Sequence, residues 1–286
     1  MILKVVVAIA LSQAVRSKVD DRDPNSQCLW WPENTAIKLS LSADGNPETP
    51  SDTEFTAINA AMRTWQNQLD SCSSLSLTEG ARTQTRKIGY FDGETNENVA
   101  VFRVKRCSDV VPASDPCKGA ADNCGSQYDC WQHQEAAIAI TTTSYNPDTG
   151  RILDSDIEFN SPNFIFSTVD SPPCIGGNYN TGCVATDVQN TTTHELGHLL
   201  GLGHSPATNS TMSFRANPGE LSKRVLDADS AAFVCNVYPK GKPSKTCFLK
   251  TVSSELGTAQ KGCTAAPGGM LIALAAMLLR RRRHTS

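Results

Sequence analysis

Several features that would place the chain in a familiar class are absent from its sequence. The 286 residues contain no CxxC pair and no cysteine cluster with the spacing of a zinc site. Basic residues are scattered until the last few positions, so the sequence predicts no nucleic-acid-binding surface. There is no internal repeat, and no apolar run reaches the roughly 20 residues of a stable membrane span. What remains is a globular chain with a net charge of −3, which we expect to be a monomer.

Cysteine, in contrast, is abundant. The chain has 11 cysteines, too many for a reduced cytosolic enzyme of this size, and all but Cys263 lie between two apolar terminal segments. The even number in this body predicts up to five disulfides and an oxidising compartment. The sequence leaves their connectivity open; the pairings that short separations or neighbouring elements suggest are Cys174–Cys183, Cys235–Cys247 and Cys28–Cys72.

The amino terminus has the pattern of an export signal. Met1–Lys4 supplies a positive charge, Val5–Leu11 is apolar, and Ser12-Gln13-Ala14 offers small residues at a cleavage site. A buried amino-terminal strand is the alternative. With the cysteine content, the pattern predicts a signal peptide over residues 1–14 and an exported protein, either secreted or held at the cell surface.

The rest of the sequence divides into an amino-terminal segment (15–35), a main domain (36–239) with a cysteine-rich insertion (107–130), a linker (240–262) and a carboxy-terminal segment (263–286). In the main domain, alternation of apolar and polar residues or β-branched composition predicts strands at Ala36–Ser42, Lys87–Phe91, Val99–Val104, Ala136–Thr143 and Leu153–Phe159. Strands with a few helices predict an α+β fold with a mixed, twisted sheet.

Three helices are predicted along the chain, one after the first strand and two after the last. Apolar residues at steps of three and four from Phe55 to Leu69 indicate an amphipathic helix, opened by a capping box of Ser51 and Glu54. A second capping box, Thr186 with Gln189, predicts a helix from about Asp187 to Leu200. A third helix is expected over Leu226–Tyr238, where Pro239 ends it.

The stretch from His194 to His204 carries the chemistry. On the second predicted helix His194 and His198 are one turn apart, so both imidazoles point the same way and can occupy two corners of a zinc tetrahedron. Gly201 allows the helix to end and the chain to turn back with His204 as third ligand. Each histidine alone could be a capping or core residue, but three of the chain's five histidines fall in these eleven positions.

Three protein ligands leave the fourth position of one catalytic zinc ion for water. Glu195, next to the first ligand, can reach that water and act as general base while the metal lowers the pKa of the water. The sequence therefore predicts a zinc-dependent hydrolase in which serines and cysteines need no catalytic role.

This pattern, HExxHxxGxxH followed by Met212 in Ser210-Thr211-Met212-Ser213, resembles the metzincin signature, and its spacing is most similar to the matrixins. The resemblance covers about Ala36 to Tyr238. It implies an endopeptidase that hydrolyses peptide bonds of extracellular proteins, a supporting role for Gly201 and Met212, and a substrate extended along the strand at Ala136–Thr143.

The sequence also departs from the matrixin pattern. Met-Tyr-Pro is replaced by Met212-Ser213-Phe214, which alters the wall of the main specificity pocket. The histidines of the structural zinc site are missing, so His133 is expected to be ordinary surface. Cys28 lacks the context of a cysteine switch. Calcium binding by Asp148, Asp154 and Asp156 is conceivable, but the sequence favours solvated carboxylates on a strand face.

The carboxy terminus carries a second signal. Cys263 and small residues precede the apolar run Met270–Leu279, and the arginines Arg280–Arg283 follow. This arrangement resembles the sorting tags of myxobacterial surface proteins, and with the zinc motif it resembles the myxosortase-dependent metalloproteases. The resemblance implies an intramembrane sorting protease that acts near Cys263 and transient membrane anchoring of the tail. A plain tail anchor or a core helix is the alternative.

Two other functions remain open at this point. A zinc hydrolase could act on a substrate other than protein, and a surface binding module could carry an inactive metal site. The intact Glu195 disfavours the second, since such a module has no need of a general base.

Overall fold

A computed structural model describes residues 14–23, 25–118 and 124–247. Nearly all of the predicted signal peptide (1–14), most of the predicted linker and the whole predicted sorting segment (263–286) with Cys263 lie outside the described residues. Within the described part, no helix has both the length and the apolar character needed to cross a membrane.

A five-stranded mixed sheet forms the frame of the molecule, in the order β2-β1-β3-β5-β4. The strands are β1 (Ala36–Ser42), β2 (Ser76–Thr83), β3 (Asn98–Arg103), β4 (Ala139–Tyr145) and β5 (Ile152–Asn160). β4 runs antiparallel to β5, whereas the other neighbours are parallel. β4 is therefore an edge strand with one side open to solvent. A separate parallel pair is formed by β6 (Phe166–Ser167) and β7 (Thr186–Asp187).

Three longer helices accompany the sheet: α1 (Thr53–Cys72), α4 (Val188–Leu199) and α5 (Ala228–Val237). The short helices α2 (Cys107–Val110) and α3 (Cys124–Tyr128) belong to the cysteine-rich insertion. The apolar stripe of α1 is buried in the main core at Ile58, Met62, Trp65 and Leu69. The predicted α+β class, with an active-site helix and two further helices, is confirmed.

Both predicted capping boxes are wrong. Ser51 lies at φ 52° in a 3₁₀ turn before α1 and caps nothing, while the buried Glu54 accepts a hydrogen bond from the Asn46 amide at 2.9 Å. At α4 the cap is Asp187, whose Oδ1 accepts from the Asn190 amide at 2.7 Å. At α1 no side chain caps the helix, because Glu54 turns to the preceding loop; at α4 the Asp187 carboxylate takes the place predicted for the Thr186 hydroxyl.

The strand predicted at Lys87–Phe91 is also wrong. This segment crosses the polar face of the sheet, and four successive backbone amides donate to side chains instead of a neighbouring strand. The pairs are Ile88 to Ser126 Oγ, Gly89 to Asp156 Oδ2, Tyr90 to Ser144 Oγ and Phe91 to Asn96 Oδ1. The strand that completes the sheet is β2, which was missed because its apolar alternation is weak.

The acidic residues of β5 are buried, contrary to the expectation of a solvated face. Asp154, Asp156 and Glu158 expose 2%, 1% and 2% of their surface, and the crossing segment contacts this face through the Gly89 amide, which donates to Asp156. Burial would raise the pKa of Glu158, but its ion pair with the Arg103 guanidinium at 2.7 Å holds it at about 2. His133, expected on the surface, lies 2.9 Å from Glu158 and is largely enclosed.

Five disulfides join the ten body cysteines. Cys174–Cys183 is confirmed. The other two suggested pairings are wrong, because the carboxyl end of α1 meets α5 through Cys72–Cys235, and the chain after α5 returns to the amino-terminal segment through Cys28–Cys247. The insertion is closed by Cys107–Cys130 and Cys117–Cys124.

Candidate metal centre

Three histidine side chains converge at the carboxyl-terminal half of α4. Nε2 of His198 lies 3.2 Å from Nε2 of His194 and 3.1 Å from Nε2 of His204. A tetrahedral zinc with nitrogen ligands at about 2.0–2.1 Å requires nitrogen atoms separated by about 3.3 Å. Within the described residues, these three form the one group of three or more potential ligands that could hold a metal ion. The aspartates considered for calcium do not form such a group.

Backbone carbonyls fix the orientation of the two helix ligands. Nδ1 of His194 lies 2.7 Å from the Thr211 carbonyl, and Nδ1 of His198 lies 2.8 Å from the Leu202 carbonyl. A carbonyl only accepts, so each Nδ1 carries the proton and each Nε2 keeps a lone pair for a metal. Burial lowers the pKa of His198 to about 4 and that of His204 to about 3. Burial also holds the pKa of His194 well below its usual value, so all three rings are in the neutral form that binds metal at pH 7.

The third ligand depends on the sharp turn that ends α4. Gly201 has φ 92°, and a Cβ there would lie 2.9 Å from the Leu29 carbonyl oxygen, so both the backbone angle and the close approach require glycine. The turn returns the chain across the end of the helix and places His204 opposite His198. The role predicted for Gly201 is consistent with this geometry.

A missed feature of the site is the amino-terminal segment. Ser17 donates from its amide to the Gly201 carbonyl at 3.0 Å and from Oγ to the Leu202 carbonyl at 2.8 Å. The amide of Gly203 donates to the Val15 carbonyl at 2.8 Å. This segment braces the loop between the second and third histidines. The polar composition of residues 15–27 gave no sign of this contact.

Met212 is buried against α4 and is 1% exposed. It packs so closely on α4 that a Cβ at Gly197 would lie 2.2 Å from its Sδ. The importance of Gly197 was not predicted from the sequence. The zinc motif allows any residue at this position, but the close contact with Met212 leaves no room for a side chain. A glycine in the middle of a helix destabilises the helix by roughly 1 kcal/mol relative to alanine. Its presence in a predicted helix therefore indicated a packing constraint at this position.

Glu195 lies on the same helix, 5% exposed, and its carboxylate faces the cleft. Oε2 accepts a hydrogen bond from Thr141 Oγ of the edge strand at 2.7 Å. Burial raises the pKa of Glu195 to about 7, against the opposing effects of Thr141 and Lys223. A carboxylate with such a pKa can take up and release a proton near neutral pH.

A cleft of about 910 Å³ contains this site. It runs along the open side of β4, past His194, His198 and His204, and ends at the segment Ser213–Asn217 with Lys223. β4 overlaps the predicted edge strand Ala136–Thr143, so backbone groups at the open edge of the sheet border the cleft beside the histidines.

Comparison with known proteins agrees with this geometry. No curated protein matches the chain. The matrixin family model, Peptidase_M10, matches residues 30–239, which include the sheet, α4, all three histidines and Met212. The match extends over most of the chain and over all the described cleft lining except Ser17, Lys18 and Leu29, and it implies a catalytic zinc. The chain belongs to the matrixin family of zinc metallopeptidases.

Proposed function

We propose that the protein is an exported, zinc-dependent endopeptidase that hydrolyses peptide bonds of extracellular proteins. One zinc ion is held by His194, His198 and His204, and Glu195 is the general base. The observation that carries the proposal is the convergence of three neutral imidazole nitrogens beside a buried carboxylate, inside a cleft bordered by an open strand edge.

Zinc, when bound, acts as a Lewis acid that polarises a carbonyl and acidifies a water molecule. The residues of the chain handle the proton and the substrate. Glu195 takes a proton from the attacking water and returns it to the amine that leaves, for which a pKa near neutrality is suited. Thr141 holds the carboxylate in place through Oγ.

The substrate binds as an added strand along β4. The edge strand offers backbone donors and acceptors on its open side, and an extended peptide can pair with them. Thr141 lies on this strand and contacts Glu195, so a paired peptide is brought alongside the general base. Such binding is largely independent of sequence, and the pockets along the cleft supply the preference.

Export and surface display complete the proposal. The five disulfides are consistent with an oxidising compartment. The terminal segments supply an export signal at residues 1–14 and a sorting tag at 263–286, in which a sorting protease of the membrane cuts near Cys263. The tail is then a transient anchor. Loss of surface display on Cys263→Ser would support this assignment, and unchanged display would contradict it.

The test of the enzymatic assignment is Glu195→Gln with Glu33→Gln as control, since Glu33 is exposed and distant from the cleft. Glu195→Gln should keep one zinc per chain by metal analysis and lose activity on peptide substrates by roughly a thousandfold or more. Glu33→Gln should retain both. A fully active Glu195→Gln variant, or activity that survives 1,10-phenanthroline, would overturn the proposal.

A further inference from the structure

One end of the cleft contains a buried lysine that the proposed mechanism does not use. Lys223 is 4% exposed and lines the cleft next to the segment Ser213–Asn217. Its backbone amide donates to Asn190 Oδ1 at 2.8 Å, so the residue is anchored to the first turn of α4. Its Nζ donates to the Arg215 carbonyl at 2.5 Å, which places the ammonium beside the backbone of another residue that lines the cleft.

The charge of this ammonium is only partly balanced. The nearest carboxylate is that of Glu220, with Oε1 3.5 Å from Nζ, which is longer than a good hydrogen bond. The Glu220 oxygens are also engaged elsewhere, since Oε1 accepts from Ser222 Oγ at 2.9 Å and Oε2 from the Asn217 amide at 3.0 Å. An ammonium has three donors, so Lys223 can donate to a further acceptor.

A second cation stands at the entrance to the same pocket. Arg215 is exposed, and its guanidinium lies 5.1 Å from the ring centre of Phe214. Lys223 and Arg215 bring two positive charges to this end, while Glu220 forms an ion pair with Lys223 and the Glu195 carboxylate also acts on it.

Around Lys223 the lining of the cleft is mixed: Phe214 is apolar, but most of its neighbours are polar or small. Its lining includes Asn190, Thr191, Ser213, Ala216 and Asn217. A pocket that selects a large apolar side chain is normally lined with apolar groups, which release water when they are covered. Here an apolar side chain would desolvate the ammonium and amide groups without replacing their hydrogen bonds, which is unfavourable.

We propose that this pocket selects an acidic side chain of the substrate, and that Lys223 is the specificity-determining residue with Arg215 in support. A carboxylate that enters the pocket would pair with the buried ammonium where little water screens the interaction. The substrate class would then be peptides with Asp or Glu next to the scissile bond. This inference rests on the proposed endopeptidase function.

The test uses the zinc-loaded protein and matched peptides that differ at one position next to the cleaved bond. Glu, Gln and Leu are compared there, with cleavage sites read by mass spectrometry. We expect the Glu peptide to be preferred over the Gln peptide by about tenfold or more in kcat/KM. Raising the salt concentration should reduce this ratio, because the exposed Arg215 is screened.

Lys223→Met keeps the length and most of the volume of the side chain and should bring the Glu-to-Gln ratio close to one. Lys38→Met, on an exposed position of β1, should leave it unchanged. Arg215→Gln should lower the ratio by a smaller factor, and since Arg215 is exposed, this variant does not endanger folding.

Two outcomes would overturn the inference in different ways. Wild-type protein that cleaves the Leu or Gln peptide as fast as the Glu peptide would refute the acidic preference and leave the endopeptidase function intact. The same conclusion follows if folded Lys223→Met keeps the wild-type ratio. Zinc-loaded protein that cleaves no peptide of any composition would refute the proposed function together with the inference.

Discussion

Oγ of Thr141 donates a hydrogen bond to Oε2 of Glu195 at 2.7 Å and so joins the edge strand to the helix of the metal centre. The same hydroxyl also lies 3.1 Å from the Glu195 carbonyl oxygen. A single side chain on β4 thereby positions the proposed base and lowers its pKa against the larger effect of burial. The strand on which the substrate is proposed to lie is thus coupled directly to the chemistry.

Removal of this hydroxyl should shift the pH dependence of activity. The hydrogen bond favours the charged carboxylate, so Thr141→Val should raise the pKa of Glu195. Because the base must be ionised, the acid limb of kcat/KM should move to higher pH, with a loss of about tenfold at pH 6 and a smaller loss at pH 8. Thr143→Val is the control, since Thr143 Oγ pairs with Ser155 Oγ at 2.9 Å. An unshifted acid limb would refute the role of Thr141.

The brace from the amino-terminal segment should contribute to zinc affinity. The Leu202 carbonyl accepts from both Ser17 Oγ and His198 Nδ1, each at 2.8 Å. Ser17→Ala should leave the Leu202 carbonyl, and with it the His198 ring, less firmly positioned. We expect zinc affinity to fall by about tenfold, measured by competition with a chromophoric chelator. Ser26→Ala is a matched control, because Ser26 Oγ accepts from the Asp20 amide away from the cleft. Equal zinc affinity of both variants would contradict the prediction.

Gly197 and Met212 should be energetically coupled. A Cβ at Gly197 would lie 2.2 Å from Met212 Sδ and 3.3 Å from Trp65 Cζ2, so Gly197→Ala should destabilise the protein by about 1–3 kcal/mol despite the better helix propensity of alanine. In a Met212→Ala background, Gly197→Ala should lower the free energy of unfolding by a smaller amount. Denaturant unfolding of the four proteins of this cycle measures the difference. If the two changes in unfolding free energy simply add, the contact between Gly197 and Met212 does not cause the destabilisation.

The buried pair Asp154 and Asp156 should make the protein less stable as pH rises. Burial and then mutual repulsion raise the pKa of Asp156, and burial raises that of Asp154 to about 6, from an unfolded value of 3.8. A raised pKa means that the folded state binds the proton more tightly, so this stabilisation is complete below pH 3.8 and lost as pH passes about 6.

Asp154→Asn should therefore raise the melting temperature at pH 8 and have little effect at pH 4, a difference of about 1–3 kcal/mol at most. Asp148→Asn in the exposed turn is the control. Melting curves with chelator and with added Ca²⁺ separate the cation alternative. If calcium stabilises wild type at pH 8 and Asp154→Asn abolishes the gain, the pair binds a cation and the simple repulsion account is wrong.

The parts of the structure that follow from local periodicity were predictable. β1, α1, α4 and α5 lie within a few residues of their expected bounds, because each buries one regular face. The three histidines could be placed for the same reason: helical spacing puts two of them on one face, and Gly201 permits the turn that adds the third.

The predictions that were wrong concerned features that depend on contacts between residues distant in sequence. The burial of Asp154 and Asp156 results from a segment more than 50 residues upstream that covers their face of the sheet, and alternation alone cannot show which face is covered. The disulfide partners and the brace by Ser17 depend likewise on chain paths between elements. The burial of Lys223 could not be predicted, because nothing in the local sequence distinguishes this lysine from an exposed one.

The bond between Cys28 and Cys247 joins residues 219 positions apart and so closes nearly the whole body into one covalent ring. A single cut by a protease, including another copy of this protein, between these residues would open the ring without releasing a fragment. The two sides of such a cut would therefore remain parts of one covalent molecule.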